Sequence, residues 1–431
     1  STYLTERFGT QWCLSPEQSI HLQTGNLNVP DQLLVRSPKG TKNIIALPFN
    51  TSLMDIQADL PNAEDIEKKN GLNIYKLPSA LIGATPTFYT ASPNEARAAL
   101  GTIRNASEIL PKLLDGGHST IAGRLVGAFR NIGKARIADD IIKAMRAAGH
   151  TVREQDPFTT PSPIPFSARA PSPHVSRLRL MWKTMRPDIS DYFPVPSEKF
   201  NNVDAYLARI DATYVMDAYH SLSIEGYQVT PELIERVRSG NWNPDTNQQD
   251  QDQRNALAAR GYWQAFQAVK ISIEAVLRGA SPGQIIEEQH GDWYRELFSP
   301  SITAGLIKPS DLAGYRNGPV YIRQSMHIPP AQDAVLDLME TFFDLLTTET
   351  DPAARVALGH FGFVFIHPYM DGNGRMGRFL MNTLLTAGGY PWTVVPIDRR
   401  SDYMAALEQA SVAQDIRPFA QFIGELVSEH Q

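Results

Sequence analysis

His367-Pro368-Tyr369-Met370-Asp371-Gly372-Asn373-Gly374-Arg375-Met376-Gly377-Arg378 is the stretch on which the reading of this chain turns. It lies between two apolar runs, Val356 to Ile366 and Phe379 to Leu385, each with the character of a core helix. Between them the chain places a titratable base, a carboxylate, two glycines around an asparagine, and two arginines three residues apart. Gly372-Asn373-Gly374 just before a helix can aim unpaired backbone N–H groups at phosphate oxygens. Glycine permits that close approach because it has no Cβ. Arg375 and Arg378, about one helical turn apart, can fork onto two different phosphates. Asp371 is a hard oxygen ligand suited to Mg²⁺ shared with substrate phosphates. His367, with an ordinary pKa of about 6.5, suits a proton acceptor for an attacking hydroxyl. Together these parts are those of a phosphoryl or nucleotidyl transfer site.

The spacing upstream and downstream of this stretch is mainly helical. Val203, Leu207, Ile210 and Tyr214 mark a helix that runs to Ser221 and stops at Gly226. A polar loop from Asn241 to Arg254 is followed by helices over Asn255–Leu277, Ile285–Leu297, Ala334–Leu346 and Ala353–Ile366. Two more cover Asp402–Ser411 and Pro418–Val427. Val320-Tyr321-Ile322-Arg323 reads as a short strand between turn signals. His360 stands seven residues, about two turns, before His367, too far for shared metal ligation, and reads as a packed core histidine; His290 and His327 have no ligand partners at useful spacing.

Residues 1–157 read as a smaller α+β domain. Asp31 to Ser37 and Asn43 to Leu47 are expected to pair as a hairpin around Pro38-Lys39-Gly40, and Pro93 to Leu100 forms a helix. Ala106 to Leu110 is a helical piece that Pro111 cuts or kinks. Ile121 to Ala148 is amphipathic and basic, with Arg124, Arg130, Lys134, Arg136, Lys143 and Arg146. It is either a surface that tracks nucleic-acid phosphates or a helix pair with a solvated basic face. Six prolines between Asp156 and Pro173 remove backbone donors and stiffen the chain, which predicts a Pro-rich linker over 158–200 and a catalytic domain over 201–431.

The whole chain of 431 residues is long enough for two or three domains, and its 42% hydrophobic and 20% charged content is that of a globular protein. A net charge of −6 gives no general attraction to nucleic acid or membrane. The balance is uneven, with 17 Lys and Arg against 15 Asp and Glu in residues 1–157. One cysteine, Cys13, allows no intrachain disulfide. No run is long and apolar enough for a membrane span, and no basic-then-apolar leader stands at the start, so a cytoplasmic location is expected.

His367 to Arg378 resembles the Fic family signature His-Pro-Phe-x-(Asp/Glu)-Gly-Asn-Gly-Arg-x-x-Arg, with Tyr369 in place of the usual Phe. The likeness runs from about Asp204 to Phe422 and includes Gly314-Tyr315-Arg316, His327-Ile328-Pro329-Pro330 and Asp415-Ile416-Arg417-Pro418-Phe419. It implies a helical core with a short β-hairpin flap that moves AMP from ATP to a Ser, Thr or Tyr hydroxyl of a target protein and of itself. His367 would be the general base and Asp371 the Mg²⁺ ligand. Gly372, Asn373, Gly374, Arg375, Gly377 and Arg378 would contact ATP phosphates. Val320, Tyr321, Ile322 and Arg323 would form the flap that docks the target and borders the nucleotide, while Tyr403, Met404 and Ser411 match positions around adenine. Ser221-x-x-x-Glu225-Gly226 resembles the family's inhibitory motif, so that Glu225 would occupy Arg378 in place of a γ-phosphate.

Leu14-Ser15-Pro16-Glu17, Val35 to Gly40 and Gly123 to Arg130 resemble the regulatory domain of AbiEi-type antitoxins, which implies a DNA or protein partner for the N-terminal domain. Two other functions remain open on the residues alone. One is a different transfer on the same scaffold: UMP, phosphate, phosphocholine, or removal of AMP. The other is a DNA-binding regulator with secondary enzyme activity. Target and oligomeric state are not written in the sequence.

Overall fold

The computed structural model describes residues 2–166, 172–196, 202–241, 253–312 and 314–430. The chain divides into two compact units, Ser1–Thr184 and Met185–Gln431. Among the described residues no helix is long and apolar enough to cross a membrane.

The first unit is α+β. Its elements are α1 (Thr2–Phe8), β1 (Cys13–Leu14), α2 (Pro16–Gln23), β2 (Gln32–Ser37), β3 (Ile44–Ala46), β4 (Ser52–Gln57), β5 (Ile66–Lys69) and β6 (Leu72–Tyr75). There follow α3 (Leu77–Gly83), α4 (Pro86–Ala91), α5 (Pro93–Thr102), α6 (Leu110–Asp115), α7 (Ser119–Asn131), α8 (Ala135–Ala147) and α9 (Pro173–Met185). Pro111 stands in the first turn of α6, where its missing N–H costs nothing, so it starts a helix rather than cutting one.

The expected hairpin between the first two long strands does not form. The sheet order is β1-β2-β4-β3, with β2 parallel to β4 and β3 antiparallel to β4. The Asp55 carboxylate explains the detour. Buried in β4, it accepts from the backbone N–H of Thr41 (2.6 Å) and Asn43 (3.3 Å) and pairs with Arg7, which pulls the 38–43 loop across β4. The turn that does close a hairpin is Asn70-Gly71 between β5 and β6, both at positive φ (52° and 75°), the usual two-residue connection.

The tract read as a linker over 158–200 is partly built into this unit, and the unit boundary falls near 185 rather than 157. Phe158 and Phe166 are buried in its core. Gly123 and Gly127 on α7 let the backbone of 153–156 lie directly on the helix: a Cβ would come 2.0 Å from the Arg153 carbonyl oxygen or 2.3 Å from that of Gln155. Arg97 donates to the Thr160 carbonyl (2.6 Å), and Asn131 donates to the same oxygen (3.0 Å). Proline-rich backbone lacks donors but keeps its acceptors, and these side chains satisfy them. Farther on, Ser172-Pro173 is a helix start, a cap followed by proline, with the Ser172 hydroxyl accepting from Val175 N–H. The amphipathic α9 then buries Leu178, Leu180, Met181 and Trp182. Residues 167–171 and 197–200, and most of the predicted loop from Asn241 to Arg254, lie outside the described residues.

Within the unit, α9 is tied down by Arg177, whose Nε lies 2.9 Å from Glu95 on α5, both side chains being almost completely buried. Glu95 also accepts from Asn26 (2.9 Å). Replacing Glu95 by alanine strips the carboxylate from a buried guanidinium, a loss of about 3–5 kcal/mol. Urea denaturation should show that drop; a change below 1 kcal/mol would contradict the burial argument.

The second unit is helical: α10 (Val203–Ile224), α11 (Pro231–Arg238), α12 (Gln253–Leu277), α13 (Pro282–Thr303), α14 (Val335–Thr348), α15 (Pro352–Ile366), α16 (Asn373–Ala387), α17 (Arg400–Glu408) and α18 (Arg417–His430). The apolar α15 is covered on nearly all sides. It packs on α14, α16 and α18, while α12 and α13 form a long antiparallel pair whose ends reach α16. The loop between α15 and α16 is the twelve-residue stretch quoted first.

The expected flap strand at Val320 to Arg323 is absent: among the described residues the second unit has no strand. Val320 and Ile322 are half-buried and Tyr321 and Arg323 exposed, so the alternation of a strand remains. A strand needs a ladder partner, and the chain turns at Arg323-Gln324 without supplying one, with Ser325 N–H bonded to the Ile322 carbonyl (3.2 Å). The segment is extended backbone presented at the surface, with Tyr321 76% exposed.

Candidate active site

Helix α15 ends at His367, which adopts the left-handed conformation (φ 54°, ψ 59°). That conformation turns the chain sharply, and Gly372 (φ 79°) turns it again into α16. Between the two turns Asn373 staples the loop: its side-chain oxygen accepts from Tyr369 N–H (2.9 Å) and its amide donates to the Tyr369 carbonyl (2.8 Å). The Asn373 side chain is thus a structural clip, and only its backbone faces the helix start. Tyr369 anchors the loop from below, its ring stacked on Tyr294 at 3.7 Å and 8°. The ring expected as Phe therefore fulfils the same packing role as Tyr. At Gly372 any side chain would collide with the Phe298 ring, 2.8 Å from an added Cβ, besides the strain of positive φ.

The His367 ring has a defined tautomer. Nδ1 lies 3.2 Å from the Val364 carbonyl. A carbonyl only accepts, so Nδ1 carries the proton and Nε2 keeps its lone pair. Burial lowers the pKa of the ring and the charge of Arg316 pushes it down further, against the Val364 carbonyl, Glu225 and Asp371, which favour the cation. The ring is neutral at pH 7, as a proton acceptor must be.

Arg375 and Arg378, on the first turns of α16, are almost fully buried and have different surroundings. The Arg375 guanidinium lies between the rings of Tyr227 (5.2 Å) and Phe298 (5.0 Å), with Nη2 3.7 Å from Asp371. Arg378 Nε donates to the Ser221 hydroxyl (2.8 Å), and Nη2 donates to the Ser221 carbonyl (3.0 Å) and the Glu225 carboxylate (2.7 Å). Among the described residues the buried N–H groups Arg375 Nε and Arg378 Nη1 have no hydrogen-bond acceptor, although the Tyr403 hydroxyl lies close enough to Arg378 to interact with it. An unpaired buried donor is costly, so these N–H groups are suited to an acceptor such as a bound anion or water. An added Cβ on Gly374 would lie 2.3 Å from Glu225 Oε1 and 3.3 Å from Arg378 Nη1, so the glycine-lined helix start, the arginine and the glutamate converge on one spot.

Glu225 is placed there by the end of α10. It is the last half-helical residue, Gly226 (φ 87°) follows in the left-handed form, and the N–H groups of Gly226 and Tyr227 bond back to Ser223 (3.0 Å) and Leu222 (3.1 Å). This is a Schellman stop. Ser221 and Glu225 are one turn apart and therefore grip the same guanidinium. Burial alone would raise the Glu225 carboxyl, but Arg378 and Arg375 outweigh it and hold its pKa below the ordinary value.

One turn before Ser221, Asp217 accepts from Tyr262 O–H (2.7 Å) and Trp392 Nε1 (3.2 Å) in the core. Burial pushes its carboxyl up to about 6 from the ordinary 3.8, against those hydrogen bonds and the charge of Arg378. A carboxylate raised on folding binds more protons folded than unfolded, so it lowers stability as pH rises from about 4 to about 6. Asp217→Asn removes that contribution. Across the window, the stability of the original chain should fall relative to the variant by about 3 kcal/mol, read from urea midpoints at each pH. Parallel pH profiles would contradict it.

Of the residues expected around adenine, two are buried and one is half-buried. Tyr403 is 1% exposed, a strut in the core. His360 Nδ1 donates to the Gly377 carbonyl (2.8 Å) and its Nε2 accepts from Tyr403 O–H (2.7 Å), which ties α15, α16 and α17 together. Gly377 thus serves α15–α16 packing. Met404 is half-buried on α17, and Ser411 is buried in the π-helical turn Gln409–Ala413. Glu408, which the sequence did not single out, accepts from Met326 N–H (2.8 Å) and from the Ser325 hydroxyl, fastening the segment after Arg323 to α17.

Asp371 is 70% exposed; Gly372 N–H (2.6 Å) bonds one of its oxygens. Among the described residues no group of three or more His, Cys, Asp or Glu could hold a metal ion. A single open carboxylate fits Mg²⁺ that arrives with nucleotide phosphates and completes its shell from them and water, rather than a resident metal.

Of the six basic residues named between Ile121 and Ala148, three are committed internally. Arg124 donates to the Ala84 carbonyl (2.9 Å), Arg130 pairs with Asp139 and Glu154, and Lys134 is buried against the carbonyls of Gly101 and Ile103. Arg136, Lys143 and Arg146 are left exposed.

Residues 285–385 match the family model described as Fic/DOC family. The chain is 40% identical over 125 residues to proteins named protein adenylyltransferase Fic from Drosophila willistoni and Drosophila melanogaster, a match that covers 28% of this chain and 24% and 25% of those proteins. The chain thus spans about a quarter of the length of the curated relatives it matches. Among solved structures, Fic-1 (residues 134–508) from C. elegans is similar with a TM-score of 0.44 and 18% identity, covering 79% of this chain and 94% of that one. A Fic domain containing signaling protein from Bacteroides thetaiotaomicron gives 0.41 and 20%, over 59% and 92%. Residues 285–385, which carry His367 to Arg378, are a domain of the Fic/DOC family.

Proposed function

We propose that this chain is a protein adenylyltransferase that moves AMP from ATP to a Ser, Thr or Tyr hydroxyl of a target protein and of itself, and that Glu225 holds it inactive. The observation that carries the reading is the pair of orphaned, buried N–H groups of Arg375 and Arg378 at a glycine-lined helix start, beside a histidine whose Nε2 is free to accept. Buried guanidinium donors without acceptors fit an anion of at least two charged groups, and a neutral imidazole fits a hydroxyl nucleophile. The name borne by the Drosophila relatives supports the choice of AMP as the group transferred.

In this reading His367 Nε2 takes the hydroxyl proton as the oxygen attacks the α-phosphorus. The bond from that phosphorus to the bridging oxygen of the β-phosphate breaks, and pyrophosphate leaves. Arg375 and the backbone N–H groups at Gly372 to Gly374 hold phosphate oxygens, and Arg378 receives the γ-phosphate once Glu225 has moved away. Mg²⁺ bound with ATP at Asp371 would neutralise phosphate charge. The extended segment Val320 to Arg323 would align the target, its free backbone edge pairing with a strand of the substrate.

The test uses ATP labelled at the α- or the γ-phosphate with the Glu225→Gly chain. Label from the α-position entering protein with release of pyrophosphate is the expected result. Label entering from the γ-position alone would replace the reading with phosphoryl transfer, and no label from ATP but label from UTP would move it to another nucleotide.

A further inference from the structure

The 316–330 segment is closed at its base by one side chain. Arg316 is 5% exposed, and its guanidinium donates to carbonyls on two sides. Nη2 bonds the Pro330 carbonyl (2.6 Å) and Nη1 that of Gly318 (3.1 Å), both within the segment. Nε bonds the carbonyl of His367 (2.7 Å), and Nη2 lies 3.4 Å from that of Ile366, both at the end of α15. Its backbone N–H adds a bond to the Pro368 carbonyl (2.8 Å). The last carbonyls of α15 have no helical partner of their own, so the guanidinium acts as a C-cap for the helix that carries His367. Among the described residues no carboxylate pairs with it. Among the described residues the buried charge is held by carbonyl dipoles, which carry no net charge to neutralise it.

We propose that Arg316 is the positioning residue of this site: it fixes the left-handed His367 and the target-docking segment to one another by bonding carbonyls of both. Its charge also favours the neutral His367 ring. The proposal rests on the reading of His367 as the proton acceptor. The other charged groups that face the ring, Glu225 and Asp371, act in the opposite direction and favour its cation. Burial is the main cause that keeps the ring neutral, and the Arg316 charge adds to it against the two carboxylates. A lysine would keep the charge but could not reach carbonyls on both sides, because its donors radiate from one atom. A glutamine would lose the charge as well.

The experiment compares Arg316→Lys and Arg316→Gln in the full-length Glu225→Gly chain, with thermal melting to confirm folding. The His367 titration is followed by NMR of ring-labelled histidine, assigned with His367→Asn, and self-labelling by α-labelled ATP is followed against pH and ATP concentration. In Arg316→Gln the His367 midpoint should rise by about one unit, and the acid limb of labelling should move with it. In Arg316→Lys the midpoint should stay while the labelling rate falls about tenfold or more, with little change in the KM for ATP. An unmoved His367 midpoint in Arg316→Gln overturns the proposal, and so does a parental labelling rate in Arg316→Lys. The lysine variant alone decides it if the glutamine variant does not fold. If the Glu225→Gly parent labels nothing, the functional reading fails, and the NMR titration still decides the role of Arg316.

Discussion

Replacement of His367 by asparagine is expected to lower AMP transfer about 10²–10⁴-fold and to leave ATP binding and the fold intact. Asparagine is the informative choice because position 367 lies at φ 54°, and asparagine tolerates the left-handed region better than alanine. A loss of activity in His367→Asn therefore reports the missing base rather than a sprung loop. The ring takes no part in the orphaned-donor cluster of Arg375 and Arg378, so calorimetric ATP affinity should change little. The pH dependence carries a second expectation. Burial and Arg316 lower the pKa of the ring, so the base form persists as pH falls past the ordinary histidine value and is lost only below about 6.5. An acid limb above that value, or a variant that labels at the parental rate, would remove His367 from the reaction.

Glu225→Gly is expected to raise self-labelling by about 10- to 100-fold, the worth of one charge-assisted hydrogen bond that ATP no longer has to displace. The geometry separates release from collapse. Arg378 stays oriented after the change because the Ser221 hydroxyl and carbonyl hold two of its donors. The end of α10 survives too, since its closing bonds come from the backbone of Gly226 and Tyr227 and not from the Glu225 side chain. What the variant loses is the partner of a buried cation, so its stability should fall by about 1–3 kcal/mol, with a lower melting temperature. Added ATP should restore it, because a ligand that binds only the folded state stabilises by mass action. Unchanged labelling together with an unchanged melting temperature would mean that the Arg378–Glu225 pair, 2.7 Å in length, is an ordinary surface contact.

The chemistry of the site was local in sequence, which is why it was legible. His367, Asp371, the two glycines and the two arginines lie within one loop and one helical turn, and the loop needs only a left-handed residue at each end to fold. The Ser221–Glu225 pair was legible for the same reason, since a spacing of four on a helix puts both side chains on one face. Helices α10 and α12 to α18 followed from apolar periodicity and stop signals in the same way.

Tertiary structure decided what depends on partners far away in the chain. Whether Asp31 to Ser37 pairs with Asn43 to Leu47 was settled by a buried carboxylate, Asp55, on a third strand, and strand pairing is not encoded in either strand alone. Proline content marked 158–200 as a linker, yet Phe158 and Phe166 found a core to enter, and the glycines of α7 made room for the backbone before them. The strand pattern of Val320 to Arg323 was real, but a ladder needs a second strand and the described residues of the second unit hold none. Glu408 looks like an ordinary surface charge in the sequence, and Arg316 is marked there only within Gly314-Tyr315-Arg316, because burial and bonds to the carbonyls of Pro330, Ile366 and His367 are invisible in one dimension. One-dimensional order was enough to gather the polar and charged groups of residues 367–378. The packing of α10, α15 and α16 sets Glu225 on Arg378, because residues 153 positions apart meet only in the fold, and it leaves Arg375 Nε and Arg378 Nη1 without an acceptor among the described residues.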